Sequence, residues 1–221
     1  MPEGNSVEKN AAMQALGGDL VVHGHDFQAA AEYAAGLAEE RDLYMLPSFH
    51  GDLVAGVATY AMELFEAAPD LDAVYAPIGL GSGICGIISA RDALGLKTEV
   101  IGVVAEGAPC YALSFEAGRP VSTNAADTMA DGVACRTPVP DAVATINAGA
   151  ARIVRVSDAE IRSAMRAYYT DCHNVVEGAG AAPLAALLQD GERMRGKRVG
   201  LALSGGNIDR PVYAAILAEA D

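Results

Sequence analysis

The 221-residue sequence has no tryptophan and only three lysines, Lys9, Lys97 and Lys197. Hydrophobic residues still make up 52% of it, so much of the apolar content is small, Ala and Gly, as in tightly packed helix–sheet layers. Basic residues are scarce: 15 Lys and Arg against 29 Asp and Glu give a net charge of −14. The longest basic group is Arg195-Gly196-Lys197-Arg198. That excludes nucleic acid and anionic membrane as partners, since both demand basic patches. The four cysteines, Cys85, Cys110, Cys135 and Cys172, are far apart with no C-x-x-C. A zinc site or disulfide framework is excluded, leaving reduced, mostly buried thiols. There is neither a signal peptide nor an apolar run approaching a membrane span, and a soluble, cytoplasmic protein is expected.

What is present alternates. β-branched runs at Leu20–His23, Leu43–Leu46, Ala73–Ala76, Glu99–Val104, Arg152–Val156 and Arg198–Leu203 read as strands. Between them lie segments with helical spacing: Ser6 to Leu16, Asp26 to Glu40, Asp52 to Ala67 and Ser82 to Leu94. Ser157 and Glu160 have capping-box spacing. The alternation predicts an α/β fold, a mostly parallel sheet covered by helices on both faces. The stretch from Gly107 to Pro140, with four prolines and weak periodicity, reads as a long irregular loop or lid. The opening, Met1-Pro2-Glu3-Gly4, reads as a strand end with no strand before it.

Two glycine loops carry the chemistry. In Ala76-Pro77-Ile78-Gly79-Leu80-Gly81-Ser82-Gly83-Ile84-Cys85-Gly86, a strand runs through glycines into a helix. Close backbone approach, successive N–H groups and a helix N-terminus together make an anion site. Gly81–Gly86 is also a G-x-G-x-x-G, and Glu106 lies where an acidic ribose ligand would sit, so a dinucleotide remains open. Pro77 and the mid-chain position speak against it. The second loop, Leu203-Ser204-Gly205-Gly206-Asn207-Ile208-Asp209, again follows an apolar strand. Carboxyl ends of parallel strands line one crevice, so both loops open on the same side. Each alone is also compatible with an ordinary glycine-rich turn.

Taken in order, these segments resemble the pyridoxal-phosphate (PLP) enzymes of fold type II, the threonine/serine dehydratase and serine racemase group. The resemblance rests on Met1-Pro2-Glu3-Gly4 with Lys9 and Leu16-Gly17-Gly18, on Pro77–Gly86, on Ala130-Asp131-Gly132-Val133, on Val176-Glu177-Gly178 and on Ser204–Asp209. The wording of the phosphate loop and of Val103-Val104-Ala105-Glu106 is similar to the hydroxyectoine-utilisation dehydratase branch. The resemblance implies a tryptophan-synthase-β-like parallel sheet flanked by helices, with residues 1–50 a remnant of the small domain and 51–221 the large cofactor-binding domain. It implies that PLP is held by backbone N–H groups of Gly79, Leu80, Gly81, Ser82 and Gly83, with Glu177 near its ring and Ser204 on the pyridine nitrogen. A neutral hydroxyl there keeps the ring a weaker electron sink than a carboxylate would, which in this family goes with β-elimination. It further implies a small hydroxy-amino-acid substrate, a homo-oligomer (a dimer) and no metal, since Val104 stands where some relatives carry a metal-binding Glu. Ser48 matches a site-lining position.

One departure is large. The family's S-F-K-x-R motif, with its Schiff-base lysine, and the S-x-G-N loop that grips the substrate carboxylate are not in this sequence. Lys9, Lys97 and Lys197 read as solvated surface residues, so no catalytic residue is assigned. The expectation is that an N-terminal segment, or a partner chain, supplies what is missing and that the 221 residues alone are inactive. The competing readings are a non-catalytic PLP- or amino-acid-binding remnant and an NAD-dependent oxidoreductase using Gly81–Gly86. Of the histidines, His23 and His25 read as a strand end and His173 as a helix C-terminus, while whether His50, which follows the run ending at Leu46, faces the crevice is left open.

Overall fold

The computed structural model describes residues 1–220. In chain order the elements are α1 (Val7–Ala15), α2 (Phe27–Glu40), α3 (Gly51–Ala67), β1 (Ala73–Pro77), α4 (Ser82–Ala93), β2 (Glu99–Ala105) and α5 (Cys110–Ala117). A single 3₁₀ turn (Asp131–Val133) precedes α6 (Pro140–Gly149), β3 (Arg152–Val156), α7 (Asp158–Cys172), α8 (Gly178–Gln189), α9 (Gly191–Met194), β4 (Val199–Leu201) and α10 (Arg210–Leu217). The chain divides into two compact units, Met1–Pro47 with the segment from Gly206 on, and Ser48–Gly205.

In the first unit, Ser6 caps α1 by accepting from the Lys9 amide at 3.1 Å, and Asp26 caps α2 by accepting from the Ala29 amide at 2.8 Å. The start of α1 is also held from the far end of the sequence. The Asp209 carboxylate accepts from the Ser6 hydroxyl and from the amides of Val7 (3.0 Å) and Glu8 (3.1 Å). Glu8 returns the contact by accepting from the Arg210 amide at 3.0 Å. The two strands expected at Leu20–His23 and Leu43–Leu46 are not formed. Their apolar residues are exposed, among them Val22, Leu43, Tyr44 and Leu46. A strand exists only through its ladder, and here, among the described residues, the pairing is limited to the Met1 amino group to Val21 (2.7 Å), His23 N–H to Met1 (2.9 Å) and Glu3 N–H to Gly24 (2.7 Å).

The second unit is built on a four-stranded sheet in the order β3-β2-β1-β4, with every pairing parallel. Val74 and Ala76 of β1 and Val100 and Val104 of β2 join α3, α4, α5 and α6 in one core that includes Phe65, Ile84, Ile87, Tyr111 and Ile146. The intervening strand residues face the other way, towards α8, which packs on β1, β2 and β3. Its buried stretch Gly178–Ala182, with Ala185 and Ala186, carries no side chain larger than a methyl group, so the helix can lie close on the sheet. On this face Tyr75, fully buried, donates its hydroxyl to Asp190 at 2.7 Å, and Arg152 pairs with the same carboxylate. The segment expected to be an irregular lid instead contains α5, whose Cys110, Tyr111, Ala112 and Ser114 are buried. The capping box of α7 is present as expected, the Glu160 amide donating to Ser157 Oγ and the Ser157 amide to Glu160 at 2.7 Å.

Candidate functional site

Strand order fixes where a ligand can sit. From β1 the chain moves to β2 and on to β3, and then returns to the opposite edge as β4. The direction of winding therefore reverses between β1 and β4. In open parallel sheets, crevices form outside the carboxyl ends of strands at such a reversal. A cavity of about 660 Å³ lies there, lined by Pro77 and Gly79–Gly83 after β1 and by Leu201–Ser204 at and after the end of β4. Val57, Tyr60 and Leu64 of α3 make its apolar wall, and Gly132, Glu177 and Ala179 also line it.

All seven sequence-derived binding residues, Gly79, Leu80, Gly81, Ser82, Gly83, Glu177 and Ser204, line this one cavity. Gly81 is the N-cap of α4, with φ +98°, and gives no side-chain cap. Among the described residues, the amides of residues 79–84 donate to no protein acceptor; the ladder ends with Ile78 N–H to Val103, and the helix begins with Cys85 N–H to Gly81. A row of donors at a helix N-terminus favours negative charge. Gly83 has nothing within 4 Å of where a Cβ would stand, so the first turn of α4 is open on that side. Gly79 differs, because a Cβ there would overlap the Gly132 carbonyl of the 3₁₀ turn. The glycine turn is thus wedged from behind and open in front.

The second loop is tied to Glu177. Its amide donates to the Gly205 carbonyl at 3.1 Å, and its Oε1 lies 2.7 Å from where a Gly205 Cβ would be. Ser204 is exposed, and among the described residues its hydroxyl has no protein partner. Burial pushes the Tyr60 phenol pKa further above its ordinary value, so at neutral pH the hydroxyl is protonated with or without the shift. The cavity therefore offers a row of anion donors, a hydroxyl, a carboxylate and apolar walls. That is the chemistry of a flat, mostly apolar ring carrying one anionic arm. The donor row and the open space at Gly83 fit a phosphate.

The remaining candidates fall elsewhere. Glu106, needed by the dinucleotide reading, is not among the lining residues and is exposed. Ser48 does not line the cavity either. His50 caps α3, its Nδ1 accepting from the Asp52 amide at 3.2 Å. His23 stacks on Tyr33, with ring centroids 3.9 Å apart, and His173 is the C-cap of α7. Lys97 and Lys197 precede β2 and β4, at the amino ends of the strands, whereas the cavity is at their carboxyl ends. Among the described residues no group of three His, Cys, Asp or Glu is placed to hold a metal. Sequence reasoning missed the α3 wall. Its signal was the spacing of Val57, Tyr60 and Leu64, i, i+3 and i+7 on one helical face.

Comparison with known proteins gives one consistent answer. The family described as "Pyridoxal-phosphate dependent enzyme" matches residues 1–205. The L-threonine ammonia-lyase of Thermotoga maritima is 30% identical over 210 residues, which is 95% of this chain and 52% of that protein. The L-threo-3-hydroxyaspartate ammonia-lyase of a Pseudomonas species is 32% identical over 218 residues, 98% of this chain and 68% of that protein. The processed form of threonine deaminase isoform 2 from Solanum lycopersicum superposes with a TM-score of 0.88 at 30% identity, covering 100% of this chain and 66% of that one. The chain thus spans about half the length of the first of these relatives and about two thirds of the others.

Proposed function

The chain belongs to the pyridoxal-phosphate dependent enzyme family, and from that premise we propose that its cavity is the PLP cradle of an ammonia-lyase acting on a small β-hydroxy-amino acid. The observation that carries this is the row of amides at residues 79–84, without protein acceptors among the described residues, at the point where the sheet reverses. In this reading the amides of Gly79 through Gly83 hold the phosphate, with the dipole of α4 adding to them. The bound cofactor supplies the electron sink that makes an amino acid's α-proton acidic enough to remove. Ser204 meets the ring nitrogen with an uncharged hydroxyl, able to donate or accept without adding charge. Glu177, fixed against Gly205, stands beside the ring, and Val57, Tyr60 and Leu64 keep water from its face.

No lysine of the Ser48–Gly205 unit lines the cavity. We therefore assign to these 221 residues the holding and orienting of the cofactor, and not proton transfer by an amine. Relatives that release ammonia from threonine and from hydroxyaspartate bracket the substrate class, an amino acid with a β-hydroxyl leaving group.

Equilibrium dialysis of the chain against PLP tests the cradle, with wild type compared to Ser204→Ala and to Gly79→Val, which drives a branched side chain into the Gly132 carbonyl. Retention of PLP by wild type and its loss in Gly79→Val are expected. Equal retention by all three would place the cofactor elsewhere. Keto acid release from L-threonine by the 221-residue chain should be absent, and turnover would overturn the assignment of only holding and orienting to these residues.

A further inference from the structure

Behind the glycine turn lies a residue that is not among those lining the cavity yet holds one that is. Tyr111 of α5 is 1% exposed. Its hydroxyl donates to the Leu80 carbonyl at 2.7 Å and accepts from the Val139 amide, just before α6, at 3.0 Å. The hydroxyl oxygen is 3.5 Å from where a Gly81 Cβ would stand, and Ala142 Cβ and Ile146 Cδ1 of α6 are 2.7 and 3.6 Å from that point. The outer side of the turn is therefore filled, and its polar atoms there are paired through one phenol. Burial pushes the phenol pKa up, so the hydroxyl keeps its proton at every physiological pH.

The peptide between Leu80 and Gly81 is a rigid plane whose C=O and N–H point in opposite directions. Anchoring the Leu80 carbonyl outward onto Tyr111 aims the Gly81 N–H inward. We propose that Tyr111 is the positioning residue of the phosphate turn: by pinning one carbonyl it orients the Gly81 amide, and with it the start of α4, for an anion. The inference rests on the reading of the turn as the PLP phosphate site. Tyr111→Phe keeps the ring and its packing while removing the partner of two part-buried groups, the Leu80 carbonyl and the Val139 amide, so the Leu80–Gly81 peptide loses what holds its orientation.

The test compares PLP with pyridoxal, which has the same ring and no phosphate, by equilibrium dialysis against wild type, Tyr111→Phe and Val139→Pro. Proline suits position 139, where φ is −77°, and removes the amide that fixes the phenol. Tyr111→Phe should weaken PLP about tenfold, with pyridoxal affinity unchanged and a cooperative melt retained. Val139→Pro should show the same selectivity at smaller amplitude, and it decides the matter if Tyr111→Phe does not fold. Equal PLP affinity in wild type and variants overturns the proposal, as does a parallel loss of PLP and pyridoxal, which marks a merely structural role. Wild type that retains pyridoxal as well as PLP refutes the phosphate reading itself, a result separable from failure of the variants.

Discussion

Gly83→Asp should separate folding from cofactor binding. The position is in the first turn of α4, and nothing lies within 4 Å of its would-be Cβ. An aspartate there replaces a poor helix former with an acid at the dipole's positive end. The two changes stabilise by about 0.5–1 kcal/mol together. For a chain of this size that raises Tm by about 1–4 °C. The same carboxylate would stand where the phosphate arm is to be held. At about 4 Å and an effective dielectric between that of a protein surface and water, repulsion is about 1–4 kcal/mol per pair of unit charges. PLP affinity should fall at least about tenfold, while pyridoxal affinity changes little. Thermal melting by circular dichroism and parallel dialysis with the two ligands read both effects. A variant that melts higher yet binds PLP as wild type does would refute the placement of the phosphate at α4. A fall in Tm of several degrees would refute the claim that the first turn is open.

Asp190→Ala leaves the Arg152 guanidinium, which is 20% exposed, without the carboxylate it pairs with, and should cost about 3 kcal/mol in urea unfolding; a cost under about 1 kcal/mol would show that solvent replaces the pair. The Asp209 carboxyl is held below its usual range first by the Ser6 hydroxyl and then by the Glu8 and Val7 amides. Because its folded pKa is depressed, its contribution is present above the unfolded value and lost as pH falls through the lower folded one, so the Val7 and Glu8 amide resonances should titrate below pH 4 and stay flat in Asp209→Asn. Ser157→Ala should remove about 1 kcal/mol by opening the capping box of α7, read as a lower urea midpoint at unchanged m. Of the four cysteines only Cys172 is exposed, so native thiol labelling should give one adduct and denatured labelling four.

Local chemistry made much of this legible. The alternation of β-branched runs with helical spacing gives the parallel sheet, and Ser6, Asp26 and Ser157 each start a helix as their capping chemistry demands. Glycines following an apolar strand identified the turn at residues 79–83 and the loop at Ser204. What stayed hidden depends on partners distant in sequence. Leu43–Leu46 has the residues of a strand, but residue type says nothing of whether a ladder partner exists. Prolines and weak periodicity disguised α5, a short helix whose Cys110, Tyr111, Ala112 and Ser114 are buried without forming an amphipathic stripe. Tyr111 was equally invisible: a tyrosine in a proline-rich segment gives no sign that its hydroxyl will meet a carbonyl 31 residues earlier.

The two sides of the cavity are made in different ways, and the difference bears on function. On the donor side the glycine turn touches the Gly132 carbonyl, α6 and Tyr111, so its backbone has little room to shift. An anion site works only if several amides keep a common aim, and close packing behind the turn supplies that without any charged side chain. On the far side, the α3 wall is made of flexible or half-exposed side chains, with Tyr60 40% exposed. Changes on that wall should alter which ring substituents and substrates are admitted. Changes behind the turn should alter whether a phosphate is held at all. The distinction follows from geometry: a phosphate needs several donors converging on one point, whereas an apolar ring needs only a surface of matching shape.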